Sequence, residues 1–291
     1  MTAELDAVTA NVLASVVEGA PIDPAAVTFL LRRYRTIGGD DLRDALGHAL
    51  AIALHDGSAA ASVAAISARL TMFTEALAFS EDDRLRAAVD ELAHDLERAR
   101  RETTVVEDAM LALETTMRTV SPAMARSVIP PAIDQLEHIV GAAYRPGDGM
   151  AHVIHAPAAE RGRLGDQVRT ASALLTAYEA TGRLPYAMLA EELMQTAFRE
   201  SWDDRDGVFV DRSTADVSKP LALNADATRV LCRLAALHGD DDYRRAAVVR
   251  SDAHYDRHAS RVLAYLSTAG CASGACAGAY GLALAEWLAL H

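Results

Sequence analysis

The feature that most restricts how this chain can fold is a junction repeated along it. An apolar-periodic helix runs into a turn rich in Gly and Asp, and a second helix follows that opens with Leu or Tyr and arginines. Four copies are legible: Tyr34 to Arg43, Leu77 to Arg86, Tyr178 to Tyr186, and Leu237 to Arg244. Gly38, Gly182 and Gly239 suit the left-handed conformation that ends a helix. Asp40, Asp82 and Asp240 suit the position where a carboxylate accepts the first amides of the next helix and opposes its dipole. A fifth junction, Thr119-Val120-Ser121-Pro122, offers a serine cap followed by proline at the first helical position.

The flanking segments carry helical spacing, for example Leu85, Val89, Leu92 and Leu96, or Ala171, Leu174, Leu175 and Tyr178, and no segment sustains strand alternation. The pattern predicts helices over 4–18, 24–36, 41–55, 61–79, 83–101, 104–119, 122–142, 166–181, 186–200, 223–238, a broken 241–267, and 278–290. That is an all-α chain of about six antiparallel hairpins, expected to close into an α/α toroid as a single domain over 1–291. Two stretches rich in Gly, Pro, Asp and charge break the rhythm, 143–165 and 202–221. Long connections of a helical ring cluster on one face, so function is expected there.

The chain is 51% hydrophobic with a net charge of −13, and the acidic residues are spread over most helices. Nucleic acid and anionic membrane surfaces, which need clustered positive charge, are excluded as partners. No apolar run approaches the roughly 20 residues that span a bilayer, and Met1 to Asp6 lacks a signal-peptide pattern, so a cytoplasmic protein is expected. Cys232, Cys271 and Cys276 form no CxxC pair; Cys271 and Cys276 flank Ala-Ser-Gly-Ala and could meet in a turn, with two small residues of a loop as the plainer reading.

Polar residues at the starts of inner helices would line a central pocket, where free amides favour anions and sugar hydroxyls. They are Asp166, Gln167, Asn224, Asp226, Glu107 and Asp108; helix capping is the competing role for Asp166 and Asn224. His152 and His155, with Arg161 and Arg163, offer a general base and an anion clamp, against a solvated loop as the plainer reading. Trp202 with Asp203 and Asp206 suits a stacking platform, or else a core plug beside a simple turn. His254 and His258, and His48 and His55, lie on common helix faces without a third ligand, so no metal or cofactor is expected.

Ala143-Tyr144-Arg145-Pro146-Gly147-Asp148-Gly149-Met150-Ala151-His152, then Leu164-Gly165-Asp166-Gln167-Val168, Ala177 to Gly182, Ser201-Trp202-Asp203-Asp204-Arg205-Asp206-Gly207-Val208-Phe209-Val210-Asp211, and Lys219-Pro220-Leu221 with Asn224 follow one another in order. As a set they resemble the C-terminal part of the thioredoxin-domain-containing, spermatogenesis-associated family, fairly well over 143–290 and weakly over 24–101. The resemblance implies a fold similar to six-hairpin glycosidases and N-acylglucosamine 2-epimerases, which bind sugars in the mouth of the ring. This chain departs from it twice. It has no thioredoxin-like domain, so any redox partner would be a separate protein. Where the family has a His-Phe-Glu-Lys run it has Ser62-Val63-Ala64-Ala65-Ile66-Ser67-Ala68, which cannot do acid–base chemistry, so the half over 1–142 reads as degenerate.

Three readings follow: a catalytically reduced toroid that binds a small, carbohydrate-like molecule; a sugar isomerase, epimerase or glycosidase-like enzyme; and an interaction scaffold that forms homo-oligomers. In the enzyme reading His152 shuttles a proton with Asp166 as its catalytic partner. Gln167, Asn224, Asp226, Trp202 and Glu107 hold the substrate.

Overall fold

The computed structural model describes residues 2–18, 21–55, 62–156, 160–212, 217–247 and 253–291, and within them the chain is helical apart from two two-stranded hairpins. In chain order the elements are α1 (Thr2–Val17), α2 (Pro24–Ile37), α3 (Asp40–His55), α4 (Val63–Leu77), α5 (Asp83–Glu102), α6 (Val106–Thr119), α7 (Ala125–Ala143), β1 (Tyr144–Arg145), β2 (Gly149–Met150), α8 (Leu164–Thr181), α9 (Leu184–Ser201), β3 (Trp202–Asp203), β4 (Val208–Phe209), α10 (Leu221–Gly239), α11 (Asp241–Ala246), α12 (Tyr255–Thr268) and α13 (Ala277–Leu288).

The junctions explain most of the boundaries. Gly38 and Gly182 end their helices at φ 65° and 69°, each returning its amide to a carbonyl of the last turn. Asp82 and Asp240 cap α5 and α11 by accepting amides two and three residues on. Three expectations are corrected. Gly239 is simply the last residue of α10, because Asp240 already starts the next helix. Asp40 lies inside α3 rather than before it. Ser121 and Pro122 form a turn, and α7 starts only at Ala125, since the Ser121 carbonyl accepts from Met124 and Ala125 instead of its hydroxyl capping a helix. The expected 241–267 helix is broken into α11 and α12. The expected start of α4 at residue 61, like 248–252 within that span, lies outside the described residues.

Helices α2, α4, α6, α8, α10 and α13 pack side by side as an inner ring, and α13 closes it by packing on α2; α1, α3, α5, α7, α9 and α12 lie outside. Burial differs most between α8 of the inner ring and α5 of the outer. α8 buries twelve of its residues, whereas α5 buries only Leu85 and Leu96 and pairs its charges along its own surface. Each fully buried Leu or Val of the inner ring contributes about 1.5–3 kcal/mol. The seam between α13 and α2 depends on small residues: a Cβ on Gly278 would lie 2.2–2.5 Å from the backbone of Ala25 and Ala26, and one on Gly281 would meet the Phe29 ring.

Ion pairs lace the inner helices together. Arg32 of α2 meets Glu75 of α4 at 2.9 Å and Glu286 of α13 at 3.5 Å; Glu286 meets Arg229 of α10 at 2.8 Å; Asp226 of α10 meets Arg169 of α8 at 2.7 Å. Deeper, Glu114 of α6 takes Arg118 at 2.8 Å and Arg233 of α10 at 3.6 Å. Burial alone would raise the Glu114 carboxyl, but Arg118, Arg233 and the Ser172 hydroxyl outweigh it and hold it at about 2.

Cys271 and Cys276 form a disulfide, contrary to the loop reading; the turn after α12 brings their Cα atoms to 4.9 Å, within bonding reach. No described helix is long and apolar enough to cross a membrane.

Candidate functional site

The two long connections are built alike and lie on one face. After α7 and again after α9 the chain forms a small hairpin, with Tyr144 paired to Met150 in one and Trp202 paired to Phe209 in the other. Each hairpin is locked by an amide side chain from the fourth residue of the inner helix that follows. Gln167 accepts from the Met150 amide at 3.0 Å and donates to its carbonyl at 3.3 Å. Asn224 accepts from the Phe209 amide and donates to its carbonyl, both at 2.9 Å. A side-chain amide carries both a donor and an acceptor, so it can complete a strand edge from the side. Both are fully buried, and the structure gives their polar groups to the backbone. Gly149, at φ 72°, leaves the space that Gln167 fills: a Cβ there would lie 2.4 Å from its Oε1.

Beyond the first hairpin the chain runs against the start of α6, where the amides of Val106 and Ile154 donate to the carbonyls of His152 and Thr104 at 2.9 and 2.8 Å. This brings His152 onto Asp166. The ring Nδ1 lies 3.1 Å from Oδ2 and 3.3 Å from Oδ1. On the other side of the ring, Nε2 is 3.3 Å from Nη1 of Arg163. A guanidinium only donates, so Nε2 accepts and the proton of the neutral ring sits on Nδ1, facing Asp166. Asp166 has no solvent exposure, and its Oδ1 also accepts from the Glu107 amide at 3.1 Å. It therefore caps α6, a neighbouring helix, rather than its own. Burial raises the Asp166 carboxyl well above the usual carboxylate range, His152 pulling it back only in part.

Glu107 lies beside this pair. Burial raises its carboxyl, Arg169 lowers it, and Asp108, His152 and Asp211 act with smaller weight. Its side chain rests on α8 at Gly165, where a Cβ would stand 2.2 Å from Oε2. Glycine at the second residue of α8 is thus a condition for where that carboxylate sits.

A cavity of about 340 Å³ opens between the two connections, lined among others by Asp148, Arg161, Arg163, Glu200, Asp211 and Arg212. Arg163 forms part of its wall and touches Nε2 of His152, whose side chain is 23% exposed; Glu160 holds Arg163 from the opposite side at 2.5 Å. The cavity is polar and charged with both signs, which suits a polyhydroxylated molecule.

Apart from Arg161, which lines the cavity, the remaining candidate residues lie outside its lining. Asp226 is one turn inside the ring, paired with Arg169. Trp202 packs in an aromatic cluster with Phe198, Phe209 and His258, with Arg261 over its ring, and Asp203 and Asp206 close the hairpin turn around Lys219. Arg161 donates to the carbonyls of Ala143 and Gly149. His155, at φ 62°, packs on His138 at one end of a second, largely apolar cavity of about 1540 Å³ between α5 and α7. His258 bonds back to the His254 carbonyl, and among the described residues no three His, Cys, Asp or Glu side chains gather as metal ligands would. Arg169, Asp211 and Gly165 were not singled out by sequence, although Asp211 and Gly165 fall within the motifs that carry the resemblance.

The fold is that of known sugar-handling toroids. The structure is similar to that of a sugar epimerase from a ruminal bacterium, with a TM-score of 0.61 at 12% identity over 84% of this chain and 74% of that one. It is also similar to a GH76 α-mannanase from Bacteroides thetaiotaomicron, with a TM-score of 0.59 at 9% identity over 81% and 72%. At such identity the likeness is one of fold. No protein-family model matches the chain, and no curated protein matches it.

Proposed function

We propose that this toroid binds a sugar at the rim between its two hairpin connections and transfers a proton on it through His152, as an isomerase or epimerase does. The observation that carries the reading is the His152–Asp166 contact of 3.1 Å, which Arg163 joins to the wall of the rim cavity through its 3.3 Å contact with Nε2. A buried carboxylate behind a partly exposed imidazole fixes its tautomer and lets Nε2 exchange protons with a ligand. Binding would shift Arg163 from Nε2 towards the ligand's oxygens, freeing the ring nitrogen. Glu107, whose carboxyl burial raises, supplies a second acid–base group nearby. Gln167 and Asn224 serve as positioning residues that set the two hairpins forming the rim.

Proton transfer at carbon exchanges a substrate C–H for solvent deuterium. Incubation with mannose, glucose or N-acetylglucosamine in D₂O, followed by proton NMR, should show deuterium wash-in on at least one sugar. His152→Ala should lower that rate at least about 100-fold, the ordinary contribution of a general base. Equal rates in both proteins would remove His152 from the chemistry.

A second reading, binding without turnover, is favoured by the double duty of Asp166, which caps α6 while it faces His152. It predicts sugar binding that His152→Ala weakens, with no wash-in in either protein.

A further inference from the structure

We infer that the Cys271–Cys276 disulfide is a thiol-exchange site at the seam of the ring, opened by dithiol reductants, and that opening it loosens the ring-closing helix α13. The bond lies wholly within the connection between α12, which ends at Thr268, and α13, which begins at Ala277. Cys276 is the N-cap residue of α13, so the covalent bond tethers the start of this helix to the end of the turn after α12. Two residues later Gly278 meets the backbone of Ala25 and Ala26, and Gly281 meets Phe29. The same connection is held from outside by Asn11, whose amide donates to the Ala272 carbonyl at 3.1 Å. Three elements, α1, α2 and α13, therefore meet within a few residues of the bond.

The bond closes a loop of sequence separation 5, and so short a loop constrains the unfolded chain little. Its effect is local. Cutting it should leave the fold intact while freeing the first turns of α13. Access is one-sided: Cys271 is 1% exposed, whereas Cys276 is only partly buried. A reductant thiolate attacks the Cys276 sulfur, the S–S bond breaks, and Cys271 leaves as a thiolate that takes up a proton. The second thiol of the reductant then attacks the mixed disulfide and releases Cys276. Two electrons and two protons pass to the protein, and the reductant is left as a disulfide. Cys232, buried on α10 with its thiol pushed up to about 12 by that burial, does not compete.

The test uses the full chain without denaturant. After oxidation with oxidised glutathione, N-ethylmaleimide should label none of the three cysteines. After millimolar dithiothreitol it should label Cys276 first and then Cys271, while Cys232 reacts only once the protein is unfolded. Hydrogen exchange should then quicken about tenfold in 277–284 and 24–31, with α6 and α8 unchanged, and reoxidation should reverse it. Cys276→Ser should show the fast seam under all conditions. A bond that resists dithiothreitol in the native protein, unchanged exchange at the seam, or a rise spread over the whole ring would each overturn the proposal.

Discussion

Asp166 does two jobs with one carboxylate, capping α6 at Glu107 and holding His152, and its titration should show in stability. Its pKa is raised in the fold, so its contribution is present at low pH and lost as pH rises from the ordinary carboxylate range through about 7. Stability of the wild type relative to Asp166→Asn should fall over that window; a flat difference in chemical denaturation would contradict it. Asp166→Ala should cost about 2–3 kcal/mol, because the Glu107 amide and the His152 ring both lose their partner. Glu114 behaves oppositely. Its carboxyl is held at about 2, so its contribution is present above about 4.5 and lost as pH falls towards 2, roughly 3 kcal/mol that Glu114→Gln should remove. Sequence placed Asp166 and Asn224 at helix starts to within a few residues. It could not say which backbone their side chains reach, because those partners, Glu107 and Phe209, come from other elements.

At the scale of elements the helices and the positions of the two long connections were legible, and the hairpins inside those connections were not. Period 3.6 and the glycine–aspartate turns marked nearly all the helices, while the two hairpins are only two residues per strand, too short for alternation to register. The disulfide was missed for a related reason: a pair of cysteines five apart bonds only if the turn between them folds back, and nothing local requires that turn. Two glycines with ordinary helical φ now separate packing from function. Gly165→Ala should cost little stability, since alanine favours a helix by about 1 kcal/mol, yet it must displace the Glu107 carboxylate and so impair the rim site. Gly278→Ala meets backbone instead of a movable side chain, and should lower stability by about 2–4 kcal/mol and part α13 from α2. Thermal melts of the two variants, read beside sugar binding, check both; a stable Gly278→Ala would refute the tight seam.

For the whole molecule, the repeated junctions predicted a closed ring but not the contacts that close it, which are α13 returning to α2 and ion pairs that cross from helix to helix. Such pairs cannot be matched from sequence, since Arg32, Glu75, Arg229 and Glu286 lie far apart along the chain. At the start of α4 the Ser62 hydroxyl accepts from the Ala65 amide, whereas Glu107 and Asp166 meet where α6 and α8 begin. The claim on which the rest depends is that the rim beside His152 is a sugar site, and isothermal titration calorimetry addresses it most directly. Mannose, glucose and N-acetylglucosamine are titrated into the wild type, Arg163→Ala and His152→Ala. At least one sugar should bind the wild type saturably and both variants at least about tenfold more weakly, a loss of about 1.4 kcal/mol. Equal binding by all three proteins, or none by the wild type into the millimolar range, would contradict the account.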